Sequence, residues 1–403
     1  MLVPKLRFKE FNDEWNYKLF NEIFEFIQNN SFSRDMLNYD ENSKIYNIHY
    51  GDILTKYGEI IDFNIISNIV PKINNDISLS KFENKSYLKN GDIIIADTAE
   101  DLTVGKSCEV VNLHCKALAG LHTIPCRPKF KFASQYLGEY INSTSYHSQL
   151  IPYITGIKVS SISKTSIIKT KIYFPTVKEQ EKISELFSLL NKKIELQQRK
   201  IEVLKMYKKG LFQKILNYEG EKRKISEILE EVVEKSTENN QYDVISSTKE
   251  GLILQKEYFN RNIASENNIG YKILRNNQIV LSPQNLWMGN INYNDKYCIG
   301  IVSPSYKIFD IKEGYSKEYI ASLLKTNRAL YMYKISSEQG ASIVRRNLNM
   351  DAFYEITFKI PSLKEQIKYG EIIKKLNRKI DNMRDTLNML LKIKKGLLQQ
   401  MFI

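Results

Sequence analysis

Apolar residues recur at alternating steps of four and three over two long stretches of the chain. The first reads Ile183, Phe187, Leu190, Ile194, Gln197, Ile201, Leu204, Lys208, Leu211, Ile215. The second reads Tyr369, Ile373, Leu376, Ile380, Met383, Leu387, Leu390, Lys394, Leu397, Met401. A mean step of 3.5 keeps one helical seam facing a partner helix, which predicts a coiled coil. Both seams break at the same step, at Lys208 and Lys394. Each stretch follows a proline, Pro175 or Pro361, which suits the approach to a helix. Thr176 and Ser362 come next, with Glu179 and Glu365 three residues on, the spacing of a capping box. A second apolar flank (Leu186, Ile372, Leu391, Ile393, Leu398) widens the stripe and leaves surface for another subunit. About 40 residues at ~1.5 Å rise predict a rod of about 60 Å. The obvious partner for one rod is the other, run antiparallel.

The two stretches are copies. Pro175 to Gln180 recurs as Pro361 to Gln366, Leu190 to Ile194 as Leu376 to Ile380, and Lys208 to Leu211 as Lys394 to Leu397, each 186 residues later. Over 175–213, sixteen of thirty-nine positions are identical with no gap. The same offset aligns Leu88 to Ile94 with Leu274 to Val280. Leu19 to Ile23 resembles Ile225 to Ile228 at an offset of about 205, so the first half carries some twenty extra residues between Ile23 and Leu88. A repeat of this kind sets the organisation of the whole chain: variable, constant, variable, constant, bounded as 1–174, 175–218, 219–360 and 361–403.

The variable segments are rich in β-branched and aromatic residues between turn signals. Gly91 to Ala96 and Gln278 to Leu281 read as buried strands. Ile168 to Phe174 and Tyr354 to Ile360 alternate and read as strands running into the prolines. Gln135 to Asn142 and Lys317 to Thr326 read as short amphipathic helices. The fold class is α+β: two α/β domains separated by two long antiparallel coiled-coil helices, with a pseudo-two-fold internal repeat.

Composition points the function outward. Lys and Arg number 59 against 46 Asp and Glu, a formal charge of +13, which suits a polyanion and nucleic acid first. No stretch is apolar for the ~18 residues of a membrane span. Residues 1–10 carry charges every few positions and lack the apolar core of a secretory signal. Four cysteines are too few and too uneven for a disulfide framework. The expectation is a cytoplasmic protein without a membrane partner.

Catalytic motifs fail on inspection. Gly105-Lys106-Ser107 has the tail of a phosphate loop, but Glu100 stands where that pattern needs glycine. Ser282-Pro283-Gln284-Asn285 lacks the second proline and the aromatic of an amino-methyltransferase motif. No Pro-Asp followed by a Glu-x-Lys cluster of the nuclease type occurs. Cys108, His114, Cys115, His122 and Cys126 cluster, but without a Cys-x-x-Cys pair, so they are read without a metal. The expectation is a chain with no catalytic residue and no cofactor of its own.

Polar loops at equivalent places in both halves offer more. Lys158, Ser160, Ser161, Ser163 and Lys164 precede the last strand of the first half; Arg345, Arg346 and Asn347 precede that of the second. Gln284, Asn285 and Trp287 follow a buried strand, and Lys106 lies in the matching region of the first half. Arg pairs with guanine and Asn or Gln with adenine, while Lys and Ser bind phosphate. The set reads as a double-stranded DNA contact.

Pro4 to Phe11 with Trp15, the two Pro-x-x-Lys-Glu-Gln segments and the two Lys-Lys-Gly-Leu ends together resemble specificity subunits of type I restriction-modification systems. The resemblance covers the whole chain. It implies two target-recognition domains, each reading half of a split DNA site. It implies two modification subunits held by the helices, with Lys208, Lys209, Gly210, Leu211, Lys394, Lys395, Gly396 and Leu397 at the partner-binding ends. Those partners would methylate adenine with S-adenosylmethionine, and restriction subunits would add ATP- and Mg²⁺-dependent translocation and cleavage. The second half departs from the first at Gly91-Asp92, where it has Asn277-Gln278, which leaves the loop after that strand open. The competing readings are a coiled-coil scaffold that does not read DNA and a stand-alone nuclease or methyltransferase.

Overall fold

Two helices dominate the chain, a first rod over Val177–Leu216 and a second over Leu363–Gln400. The computed structural model describes residues 2–156, 158–216, 220–258, 267–339 and 346–403. The chain divides into two compact units: Met1–Gln198 with Thr386–Ile403, and Arg199–Asp385. The first unit thus holds the start of the first rod and the end of the second, and the second unit holds the converse pair, so the rods run antiparallel. Seam positions Ile183, Phe187, Ile194, Ile201, Ile373, Ile380, Leu390 and Met401 are buried, and the other described seam side chains are half-buried. That is the coiled-coil arrangement the 3.5-residue spacing requires. Of the outer flank, Leu186 and Leu398 pack on the core of the first unit, while Ile372, Leu391 and Ile393 stay exposed.

In the first unit the chain forms β1 (Asn16–Leu19), β2 (Phe24–Phe26), β3 (Ile60–Asp62), β4 (Ile93–Ala96), β5 (Ser107–Val111), β6 (Thr123–Pro128), α1 (Tyr136–Ile141) and β7 (Lys171–Phe174). The main sheet runs β2–β6–β4–β5–β3, antiparallel except for β5–β3. A four-stranded sheet joins Leu37–Asn38, Ile45–Ile48 and Lys72–Ile73, all from the stretch that the second half shortens, to Lys116–Ala119. Strand β4 is buried along its whole length because both of its faces are covered. Ile93 and Ile95 join Trp15, Phe20 and Tyr136, whereas Ile94 and Ala96 join Ile48, Ile53 and Phe63. A strand covered on two sides reads as a continuous apolar run and not as an alternation.

Helix α1 is buried on every side, not amphipathic as its sequence predicts. The reason is a close approach: a Cβ on Gly138 would lie 2.5 Å from the Glu59 carbonyl oxygen. Glu109 closes the helix start, accepting from Gln135 N at 2.6 Å and Gly138 N at 2.9 Å. The strands expected from residues 168 and 354 begin later, at Lys171 and Thr357. Short helical turns, Lys164–Ile167 and Met350–Tyr354, take up the difference, capped by the Ser163 and Asn349 side chains.

The second unit repeats the plan with β8 (Glu221–Lys224), β9 (Leu229–Val232), β10 (Ile279–Leu281), β11 (Ile291–Tyr293), β12 (Lys307–Ile311), α2 (Lys317–Leu323) and β13 (Thr357–Ile360). Its sheet, β9–β12–β10–β11, matches β2–β6–β4–β5 strand for strand. The ribbon β8–β13 likewise matches β1–β7.

The repeated Glu-Gln pair explains how each rod is fixed to its unit. Gln180 accepts from Ala133 N at 3.0 Å and donates to Pro175 O at 2.9 Å. Gln366 does the same with Ser316 N at 3.1 Å and Pro361 O at 2.9 Å. The glutamates differ. Glu365 forms the expected capping box with Ser362. Glu179 instead takes a two-pronged ion pair from Arg7, at 2.7 and 2.8 Å, and the Trp15 indole N–H at 3.4 Å. A guanidinium fork outcompetes a single backbone donor for a buried carboxylate.

Candidate nucleic-acid interface

Each unit brings together the same two loops. In the first, the chain leaves β4 at Asp97, and Thr98–Ala99 pairs antiparallel with Ser160–Ser161. Ile162 N donates to Asp97 O at 2.9 Å and secures the junction. In the second, the chain leaves β10 at Ser282, and Arg346 N donates to Gln284 O at 3.3 Å. Thr98 and Gln284 are 186 residues apart, and so are Ser160 and Arg346. The loop after the central strand therefore meets the loop before the last strand in both copies.

The structure sorts the candidate residues by how free they are. Lys158 is exposed, and Ser160 and Ser161 are half-buried in the paired segment. Ser163 is occupied as a helix cap, accepting from Ser166 N at 3.1 Å. The ammonium of Lys164 lies 5.4 Å from the Phe26 ring centre. Lys106 turns inward: its ammonium donates to Leu54 O at 3.2 Å and Tyr57 O at 3.0 Å, and burial lowers its pKa. In the second unit Gln284 and Asn347 are exposed, and Asn285 is half-buried. Arg346 commits its guanidinium to Ser337, with Nε 3.0 Å from Oγ and Nη2 2.7 Å from the carbonyl oxygen. Trp287 is half-buried, and its indole N–H has no partner among the described residues. Arg345 lies outside the described residues.

Two polar groups at the loops escape sequence reasoning. Asp97 accepts from Thr98 Oγ1 at 2.8 Å and lies 3.3 Å from His122 Nδ1, with Tyr50 edge-on to the His122 ring. In the second unit Asn290 and Asn292 bond Ser247, and Lys325 donates to Asn292 Oδ1 at 2.5 Å. Asp, Thr, Asn and Ser are ordinary turn residues. Only Asp97 is set apart by its place directly after a buried strand; Asn290 precedes β11 and Asn292 lies within it.

The cysteines and histidines do not converge. Cys108 and Cys126 are buried, with their thiols directed at the Ile94 and Ile124 carbonyls. His114 Nδ1 lies 2.9 Å from its neighbour Asn112 O. Among the described residues no group of three His, Cys, Asp or Glu side chains is arranged to hold a metal ion. No described helix is long and apolar enough to cross a membrane.

At the rod ends, half of the repeated Lys-Lys-Gly-Leu positions face their own unit. Lys208 donates to Asn377 Oδ1 at 2.6 Å, and Leu211 packs on the second core. Lys394 donates to Glu59 at 2.5 Å and lies 3.8 Å from Glu139, and Leu397 packs on the first core. Burial pushes the Glu139 carboxyl up and the Lys394 charge opposes it. Lys209, Gly210 and Lys395 are exposed and Gly396 is half-buried, and a Cβ on either glycine would meet nothing within 4 Å. The outward members of each end are thus one lysine and one glycine.

Comparison with known proteins follows from this geometry. Residues 12–206 match the family described as type I restriction modification DNA specificity domain. No curated protein matches the chain. Among solved structures, the S subunit of a type I restriction-modification system from M. genitalium is similar over 100% of this chain and 99% of its own, with 13% identity and a TM-score of 0.57. A chain from a structure concerning complex assembly and conformational transition of the type I R-M system is similar over 95% of this chain and 96% of its own, with 11% identity and a TM-score of 0.54. At those identities the likeness is one of fold.

Proposed function

We propose that this chain, residues 12–206 of which match the type I restriction modification DNA specificity family, is the DNA-reading specificity subunit of such a complex, each unit reading one half of a split site. The observation that carries this is the recurrence of the paired loops: Thr98 with Ser161 in the first unit and, 186 and 185 residues later, Gln284 with Arg346 in the second. Two unlike loop pairs on like frameworks suit two unlike half-sites.

In this reading Lys158, Ser160, Ser161 and Lys164 contact DNA from the first unit, and Gln284, Asn285, Trp287, Arg345, Arg346 and Asn347 from the second. Ser163 and Lys106 act by shaping the loops around them. The chain directs chemistry that it does not perform. Two modification subunits grip the rods, with Lys209 and Lys395 and their following glycines at the contact. They methylate adenine with S-adenosylmethionine, and restriction subunits add ATP- and Mg²⁺-dependent cleavage. The complex works in the cytoplasm.

Filter binding at graded salt separates this reading from a scaffold. The complex with modification subunits binds duplex DNA with a steep inverse dependence on salt, as phosphate contacts release counterions. A scaffold shows no such dependence.

A further inference from the structure

Asp97 is a carboxylate beside a loop that is read here as a DNA contact, and no lysine or arginine among the described residues pairs with it. Its mounting is rigid. Ala96, the last residue of β4, is paired with Thr123, the first of β6. Asp97 N donates to His122 O at 3.1 Å, and Asp97 O accepts from Ile162 N at 2.9 Å. The residue is thus held between the turn before β6 and the polar loop over 158–164. Thr98, the next residue, is paired with Ser161 of that loop. His122 faces Asp97 from the turn, at a φ of 53° in the left-handed region, where glycine or asparagine is the ordinary choice. Tyr50 braces the turn: its N–H donates to Leu121 O at 3.4 Å, and its ring lies edge-on to the imidazole with 5.2 Å between centres. Tyr50 comes from the stretch that the second half shortens.

The hydrogen bonds fix what this pair can offer. The Thr98 hydroxyl donates to Asp97 Oδ1 at 2.8 Å, so toward His122 Nδ1, 3.5 Å away, it is an acceptor. Asp97 Oδ1, 3.3 Å from the same nitrogen, is an acceptor as well. Two acceptors assign the imidazole proton to Nδ1 and leave Nε2 of the neutral ring with its lone pair. Asp97 Oδ2 and His122 Nε2 have no partner among the described residues, and the two side chains are 27% and 48% exposed. Both open atoms accept and neither donates. A phosphate, itself an anionic acceptor, gains nothing from them. The donors that duplex DNA exposes in its major groove are the exocyclic amino groups of cytosine and adenine. Cytosine N4 suits a pair of acceptors better, because adenine carries the N7 acceptor beside its amino group.

We propose that Asp97 and His122 determine one base of the first unit's half-site by accepting from an exocyclic amino group in the major groove, cytosine N4 before adenine N6. The proposal rests on the DNA-reading function above and adds to it the residues and the base edge. In the second unit Lys307 is paired with Leu281 as Ile124 is with Ile95 in the first, so Pro283 stands in place of Asp97 and Ser305 in place of His122. The pair therefore acts on one half-site only.

The test uses the complex of the full chain with its modification subunits. The first unit's half-site is the one that survives replacement of 219–360. Duplexes carry, one base pair at a time across it, pyrimidin-2-one for cytosine or purine for adenine, which removes the amino group alone. One such change weakens wild-type binding by roughly ten-fold and leaves the binding of Asp97→Ala unchanged. A response to the cytosine change assigns N4, and a response to the adenine change assigns N6. In methylation maps, Asp97→Ala and His122→Asn become degenerate at that position and keep the other half-site. Asparagine suits the left-handed backbone, so His122→Asn unfolds at a Tm no lower than that of the wild type. Variants that lose affinity for every sequence alike, or that keep the wild-type methylated sequence, overturn the proposal. So does a response found only when inosine replaces guanine, which removes the minor-groove amino group. A wild-type complex with no defined split site counts against the DNA-reading function itself.

Discussion

Glu109 is buried at the start of α1, where both of its oxygens accept backbone N–H groups. Burial lifts its carboxyl from 4.5 to about 7, against the pull of those donors. The folded state then binds the proton more tightly than the unfolded chain does. The stabilisation is complete below the unfolded value of 4.5 and is lost as pH rises through about 7. One pKa unit is worth about 1.4 kcal/mol, so the term is on the order of 3 kcal/mol. The advantage of the wild type over Glu109→Gln should therefore shrink between pH 4.5 and 7.5 and level off above. Denaturant unfolding followed by Trp15 fluorescence, with Trp287→Phe in both proteins, reads this directly. Comparing the two cancels other groups, including His49, whose pKa burial lowers to about 4. An advantage that grew with pH would refute the assignment. Arg7 supplies a second test. Arg7→Ala leaves Glu179 buried with only the Trp15 indole, and should cost the first unit about 3 kcal/mol.

Among the elements, the rods show what local pattern can and cannot reveal. Their seam was legible because a helix puts its period into neighbouring residues, and every described seam position is at least half-buried. Their anchors were not. Gln180 and Gln366 reach main-chain groups 47 and 50 residues away, and nothing near them in sequence marks that bond. The Thr176–Glu179 spacing even pointed to the wrong partner, since Arg7 arrives from the other end of the unit. Phe402 enters an aromatic cluster of Trp15, Tyr136, Tyr140 and Phe187, a contact made by tertiary structure alone. At the loops, the equivalent positions were legible from the repeat, but the inward turn of Lys106 was not. The outer face of the first rod carries Leu189, Leu196 and Val203, seven residues apart and 62%, 46% and 63% exposed. Leu196→Ser with Val203→Ser should leave the unfolding midpoint nearly unchanged, within about 0.5 kcal/mol, and should reduce co-purification with modification subunits. Ile194→Asp, on the seam, should instead destabilise the fold by several kcal/mol, roughly 3 or more. Equal loss of stability in both variants would remove the outer face as a docking surface.

For the whole molecule, the repeat separates framework from recognition. The sheet order, the ribbons and the glutamine anchors are shared, and the loops that meet at Thr98 and at Gln284 are not. Replacing 219–360 with the corresponding segment of another specificity subunit should therefore change one half of the recognised sequence and leave the other half and the methylation activity in place. The central claim, that this chain decides where its partners act, is tested most directly by mapping N6-methyladenine across a genome in cells that express the chain with its modification subunits. The account predicts methylation confined to one asymmetric sequence split by an unread spacer, and none when this chain is omitted. Methylation at a continuous sequence, or an assembled complex that methylates no defined site, would contradict it.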